Sequence, residues 1–259
     1  MLTEQQAAQY SADGYLIVTR FLNEDETKLL AQIARLDAKL AASMKTRLDT
    51  EGGKASLALD NDLGDDIYSA IVRCERLVKP MAQVLQGEPY HYHHKVSAKQ
   101  PFAGGAWEWH QDYGYWYNNG CLWPQMASCY IAIDPATRAN GCMQLLSGSH
   151  LMGRVEHGKS GEQTGADMER VDAALTRMPL VYAEMAAGDA LFFHCNTLHR
   201  SDQNRSPDPR WGLICCYNTK ENDPYKDGPH PHYSPIVQLP DSAILAVGKT
   251  QLAGLYARA

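Results

Sequence analysis

The sequence predicts an α+β fold with helices packed against a β sandwich, and three observations carry that expectation. Helix caps and helical periodicity lie before Pro89. After Pro89 come short apolar or alternating runs separated by Gly, Pro and Asn, the pattern of a sandwich or barrel. Hydrophobic residues make up 44% of the 259 positions, enough for a sizeable core. Helices first and strands afterwards argue for α+β rather than alternating α/β.

Thr3 with Gln6, and Asn23 with Glu26, have capping-box spacing and open two helices. The second runs to about Leu40, with Leu29, Leu30, Ile33 and Leu36 as its apolar positions. Gly14–Thr19 between them reads as a short strand. The segment Thr46–Asp66 is polar and rich in Gly and Asp, and is expected to be an irregular, mobile excursion. Ala70–Gln86 reads as a helix closed by Gly87. Strands are then expected over Tyr90–Ala98, Ser128–Ile133, Gly141–Leu146, Leu180–Met185, Ala190–His194 and Trp211–Tyr217. The expectation is one domain over 1–259, with a helical part to about 88, a β core over 89–220 and an extension over 221–259.

The formal net charge is −6, and no Lys/Arg run suggests a nucleic-acid surface. No stretch approaches the roughly 18 apolar residues of a membrane helix. Residues Met1–Gly14 lack the basic-then-apolar order of a signal peptide, so the cytoplasm is the expected compartment. The seven cysteines, an odd number without paired zinc-type spacing, read as buried free thiols.

The chemistry concentrates in Trp109-His110-Gln111-Asp112 and, far downstream, Leu198-His199-Arg200-Ser201. Two imidazoles and one carboxylate can occupy one face of an octahedral metal and leave positions open, an arrangement that points to non-haem iron(II). On a strand, residues i and i+2 share a face, which would let His110 and Asp112 meet one ion. Arg210 follows His199 by eleven positions across a turn-rich segment, and the two are expected on neighbouring antiparallel strands. There Arg210 could grip a distal carboxylate by two parallel hydrogen bonds, with Ser201 adding a third. A ligand that chelates at one end and is held at the other has the shape of 2-oxoglutarate.

With Asp13-Gly-Tyr-Leu-Ile-Val-Thr-Arg-Phe-Leu22, His110-Gln-Asp112, Asn140 to His150, Gly188 to Phe193, and His199-Arg-Ser201 with Arg210, the chain resembles the phytanoyl-CoA dioxygenase family. The resemblance implies a double-stranded β-helix (jelly-roll, cupin-like) core with flanking helices. It implies Fe(II) held by His110, Asp112 and His199, and 2-oxoglutarate held by Arg210 and Ser201, with Lys95 and Tyr130 lining the same pocket. It implies O2-dependent hydroxylation of an unactivated C–H, with succinate and CO2 released. Related halogenases lack the carboxylate, so Asp112 favours hydroxylation.

Trp107, Trp109, Tyr113, Tyr115, Trp116 and Tyr117 crowd the first metal motif. Alternation would send about half of them away from the metal. Trp107, Tyr113, Tyr115, Trp116 and Asn118 are the candidate substrate contacts, with Asn119, Lys95 and Gln100 available to an anionic group. Aromatic faces there suit an ammonium, and Trp107–Tyr117 is similar to bacterial members that hydroxylate aminoalkylphosphonates, including trimethylammonium forms. His91 and His93 share a strand face in this reading and serve as pocket wall. His150 and His194 are read as supporting, and His230 and His232 as surface. The expected partner is a small molecule rather than nucleic acid or membrane, and monomer and homodimer stay open. An acyl-CoA hydroxylase, a non-catalytic binding or sensor protein, and a cupin-like dioxygenase without 2-oxoglutarate are the alternatives.

Overall fold

The computed structural model describes residues 1–257. Both capping boxes form. Thr3 and Gln6 exchange backbone and side-chain bonds at the start of α1 (Glu4–Asp13), and β1 (Tyr15–Val18) follows. Asn23 and Glu26 do the same for α2 (Glu24–Leu36), which buries Leu29, Leu30 and Ile33. That helix stops short of Leu40. Asp37 is extended and its carboxylate accepts the Lys39 and Leu40 N–H groups, starting a separate helix, α3 (Ala38–Ser43). Leu36 consequently lies 44% exposed, outside the buried stripe.

The stretch expected to be irregular is instead a hairpin of β2 (Lys45–Leu48) and β3 (Lys54–Asp60), and β3 pairs with β4 (Pro89–Lys99). Charged, short strands at a sheet edge carry little alternation to read. One buried carboxylate fixes the hairpin's turn. Asp49 accepts the Glu51, Gly53 and Ala106 backbone N–H groups and the Gln203 amide. Burial pushes this carboxyl up, but those donors outweigh burial and hold it below its ordinary value. A depressed folded-state pKa stabilises above the unfolded pKa, and that stability is lost as pH falls through the folded one. Asp49→Asn should therefore lower the urea midpoint at neutral pH and flatten the loss of stability below about pH 4. Urea titrations of both proteins across that range check it, and an unchanged acid limb would count against Asp49 as the linked group.

The helix expected over Ala70–Gln86 is two helices, α4 (Ile67–Arg73) and α5 (Glu75–Leu85). Cys74 between them is extended because Arg73 and Glu75 bond the backbone of Leu239. Gln86, not Gly87, takes the left-handed conformation at the end of α5. After β4 come β5 (Trp107–His110), α6 (Asp112–Trp116), β6 (Met126–Ala132) and β7 (Met143–Leu146). The hairpin β8 (His157–Ser160) and β9 (Gln163–Ala166), with α7 (Met168–Leu175), was not read from the sequence. Then follow β10 (Leu180–Ala183), β11 (Ala190–His194), β12 (His199–Ser201), β13 (Arg210–Thr219) and α8 (Ala243–Tyr256).

Seven strands form one antiparallel sheet in the order β1-β11-β6-β13-β4-β3-β2, and four form a second in the order β10-β7-β12-β5. This is the jelly-roll core with flanking helices. One face of the large sheet carries Val96, Ile131, Phe192, Leu213 and Tyr217 into a core shared with helix residues Leu30, Ile33, Ile71 and Met81. α8 packs on α2 and α4, where a Cβ on Gly248 would lie 2.7 Å from Leu29 Cδ2. The other face of the large sheet and the small sheet enclose the cavity described next.

Candidate metal centre and co-substrate cavity

The β5–β12 pairing sets His110 directly opposite His199. Trp107 pairs with Ser201, so three steps on β5 match two on β12, a bulge that turns both Trp107 and His110 inward. β5 ends at His110, and Asp112 is the first residue of α6. The expectation that His110 and Asp112 share a strand face is therefore incorrect: a strand-to-helix turn brings the carboxylate round instead. One ligand atom from each of His110, Asp112 and His199 lies within 4.8 Å of the others.

Each ring is oriented by its far nitrogen. His110 Nδ1 donates to Glu108 O at 2.7 Å, and His199 Nδ1 to Thr197 O at 2.9 Å, leaving both Nε2 atoms facing Asp112 as acceptors. Burial pushes both imidazoles below their ordinary pKa, so they are neutral and ready to ligate at pH 7. Ser128 Oγ donates to Asp112 Oδ2 at 2.8 Å, and Lys95 Nζ stands 3.7 Å from Oδ1. Burial alone would raise the Asp112 carboxyl, but the Lys95 charge, with the Ser128 hydrogen bond, holds it below the usual range.

The adjoining cavity has a volume of about 250 Å³. Arg210 lies in it 2% exposed, and its one side-chain hydrogen bond among the described residues is from Nη1 to Tyr130 Oη at 3.5 Å. It does not neighbour His199 on an adjacent strand, as expected. It sits at the start of β13 in the large sheet and faces the small sheet across the cavity. Arg210 Nε, Ser201 Oγ and Ser97 Oγ are buried without hydrogen-bond partners among the described residues, and all three side chains line the cavity. Burying a guanidinium without a counter-charge is costly. Such a set of orphaned donors fits a ligand that brings a carboxylate. The donor set of the triad, mixed imidazole and carboxylate with an open side, equally fits Fe(II).

Tyr130 rests on Gly212, where a Cβ would lie 2.2 Å from Tyr130 Cζ. Gly212→Ala must push that ring into the cavity. It should destabilise the fold by about 1–3 kcal/mol and weaken 2-oxoglutarate binding. Unfolding curves and co-substrate titration check this, and wild-type values in both would show that the ring moves freely.

Of the candidate substrate contacts, Trp107, Tyr115 and Trp116 line the cavity. Tyr113 and Asn118 do not. The Tyr113 hydroxyl is buried against Cys121 O, and the Asn118 amide turns back to Gly114 O. Trp109 packs behind the small sheet with Leu146 and Val155. His91 and His93 do not share a face, because the β4–β13 pairing slips one residue near Tyr92. His91 meets His94 at 3.1 Å, whereas His93 lines the cavity. His230 is not a surface residue: it stacks on His93 with centroids 4.5 Å apart and lines the cavity too. Ser128 and Ser97 were missed, although Ser128 stands two residues before Tyr130 and Ser97 two after Lys95, each on the same strand face. Arg47 and Arg200 also line the cavity and had no readable signal.

The model of the phytanoyl-CoA dioxygenase family matches residues 10–212. The chain belongs to the phytanoyl-CoA dioxygenase family. Within reach of this family member are the L-proline trans-4-hydroxylase of Streptomyces griseoviridis, 30% identical over 254 residues that cover 90% of this chain and 91% of that protein. The ectoine dioxygenase of Bordetella parapertussis is 29% identical over 248 residues, 89% of this chain and 80% of that one. EctD from S. alaskensis with bound Fe superposes with a TM-score of 0.78 at 20% identity, covering 92% of this chain and 88% of that one. The present family member is an Fe(II)- and 2-oxoglutarate-dependent dioxygenase that acts with O2 on a small molecule. Among the described residues no helix is long and apolar enough to cross a membrane.

Proposed function

We propose that this dioxygenase hydroxylates an unactivated C–H of a small polar molecule, with Fe(II) held by His110, Asp112 and His199. The observation that carries the reading is the convergence of those three side chains beside a cavity whose far wall holds an unpaired, buried Arg210. Arg210 and Ser201 take the distal carboxylate of 2-oxoglutarate, Ser97 donates a further hydrogen bond, and Tyr130 walls the co-substrate beside Arg210. The bound iron, with 2-oxoglutarate and O2, supplies the oxidising power that puts one oxygen atom into the substrate and one into succinate, with loss of CO2. The chain's own part is geometric and electrostatic. Glu108 O and Thr197 O fix the ring tautomers, Ser128 and Lys95 keep Asp112 ionised, and Phe193, Ile214 and Met143 keep the cavity apolar around the reacting atoms.

A 250 Å³ cavity suits a compact substrate and is small for an acyl-CoA. The similarity to an L-proline trans-4-hydroxylase and an ectoine dioxygenase supports the same size class. A phosphonate draws no support from either relative and stays one member of a test panel. Helices α1, α2, α4, α5 and α8 share one core with the large sheet, and strands of the large and small sheets and the loop that carries His230 line one cavity, which supports a single domain over 1–259. The buried free cysteines support a reducing compartment, which we take to be the cytoplasm.

The test is succinate release by the iron-loaded protein across small amino acids, cyclic amino-acid derivatives, phosphonates and acyl-CoAs. Release above the substrate-free background with a small polar compound, and an oxygenated product of that compound, is the expected result. Tight 2-oxoglutarate binding with no substrate-dependent release from any compound would favour a binding protein instead.

A further inference from the structure

Four cationic side chains, Arg47, Lys95, Arg200 and Arg210, line the cavity against the single carboxylate of Asp112. Three of them have a task. Lys95 faces Asp112, Arg200 pairs with Asp202, and Arg210 is the co-substrate's anchor in the reading above. The Arg47 side chain is exposed on its outer side, has no acidic partner and makes no side-chain hydrogen bond among the described residues. It comes from the β2–β3 hairpin, outside the small sheet that carries His110 and His199, and reaches the cavity beside Leu57 and Leu59 of the same hairpin. The hairpin is not loose. Its turn hangs on the buried Asp49 and its second strand on β4, so Arg47 is presented from a fixed frame. Fe(II) and the dianionic co-substrate together add no net charge, so the positive excess of the lining remains.

His93 is the second unexplained group. It is 1% exposed, both ring nitrogens lack a partner among the described residues, and it lines the same cavity. Its ring is held from two sides, stacked on His230 and edge-on to Trp116 at 5.7 Å. His230 is itself fixed through Nδ1 to Asn61 Oδ1 at 2.9 Å. A buried imidazole with two unused nitrogens costs stability unless a ligand meets it. Burial keeps His93 neutral, so it can offer one donor and one acceptor.

We infer that the substrate is a small organic anion, its anionic group held by Arg47 and an N–H or O–H of its body hydrogen-bonded by His93. This rests on the hydroxylase reading and narrows its substrate class to compounds that carry a carboxylate, phosphonate or comparable group. Positioning by two fixed points would leave one C–H toward the metal side of the cavity.

The experiment uses matched acids and primary amides, such as L-proline with L-prolinamide and β-alanine with β-alaninamide, together with 2-aminoethylphosphonate and its diethyl ester. Succinate release by the full-length enzyme with Fe(II) and 2-oxoglutarate is read for each. Acids should be accepted and their neutral counterparts refused. With an accepted acid, Arg47→Gln should raise KM about tenfold or more, while kcat moves less. Arg47→Lys should recover part of that loss. His93→Phe should lower kcat/KM, and His93→Gln should restore some of it. Equal use of an amide, an Arg47→Gln KM within about twofold of wild type, or no acid accepted at all would each overturn the inference. The visible band of Fe(II) with 2-oxoglutarate, recorded without air, separates the two levels. Its absence in the wild type undoes the hydroxylase reading, whereas its presence with no acid accepted undoes only the role of Arg47 and His93.

Discussion

His199→Ala is expected to end substrate-dependent succinate release and to weaken Fe(II) binding by more than about a hundredfold. Disturbing the partners of a metal ligand already costs roughly 10–100-fold in affinity, so deleting the ligand itself must exceed that. His199 is one of the two imidazoles of the triad found among the described residues, and its ring is held in place by Thr197 O. The fold should survive, because β12 keeps its pairing to β7 and β5 through backbone bonds. Anaerobic iron titration alongside thermal unfolding checks both halves. Normal iron affinity in a folded variant would remove His199 from the metal site.

Arg210→Ala should raise the KM for 2-oxoglutarate by about a hundredfold, with a smaller change in kcat. The magnitude follows from losing two hydrogen bonds to a charged group at roughly 1.5–3 kcal/mol each, partly offset by water entering the space. Arg210→Lys keeps the charge but not the planar fork, and should fall between the two. The stability prediction is less obvious and more discriminating. Arg210 has no ion pair among the described residues, so its removal breaks none of theirs and relieves an uncompensated buried charge. The ligand-free variant should therefore unfold no earlier than wild type, while the stabilisation that 2-oxoglutarate gives wild type should nearly vanish. Co-substrate kinetics and unfolding with and without 2-oxoglutarate measure this. An unchanged KM would contradict the assigned anchor.

Much of the architecture was legible because it rests on local physics. Both capping boxes formed where Thr3/Gln6 and Asn23/Glu26 stood, and Ala190–His194 is the strand the apolar run suggested. The failures share a cause: tertiary contacts overrode local pattern. Asp37 and Cys74 interrupt runs that read as continuous helix, one through its own carboxylate and the other beside backbone bonds to Leu239. The β2–β3 hairpin is exposed and charged, so its strand character appears only through pairing with β4.

At the site, residue identity was readable but placement was not. His110, Asp112, His199 and Arg210 stand out by type and spacing. That Asp112 would open α6 rather than extend β5, and that Arg210 would face His199 from the opposite sheet, depends on how strands are distributed between two sheets. The same limit hid His230 and Arg47, which enter the cavity from segments distant in sequence. The aromatic cluster divided against simple alternation because the bulge in β5 and the turn into α6 reset which side each ring faces.

The most direct measurement is diffraction from crystals loaded with Fe(II) and 2-oxoglutarate without air, using anomalous signal at the iron edge. A single peak bounded by His110 Nε2, His199 Nε2 and an Asp112 oxygen is predicted, with the distal carboxylate of the co-substrate on Arg210 and Ser201. Iron at any other set of side chains, or a co-substrate whose far end avoids Arg210, would contradict it.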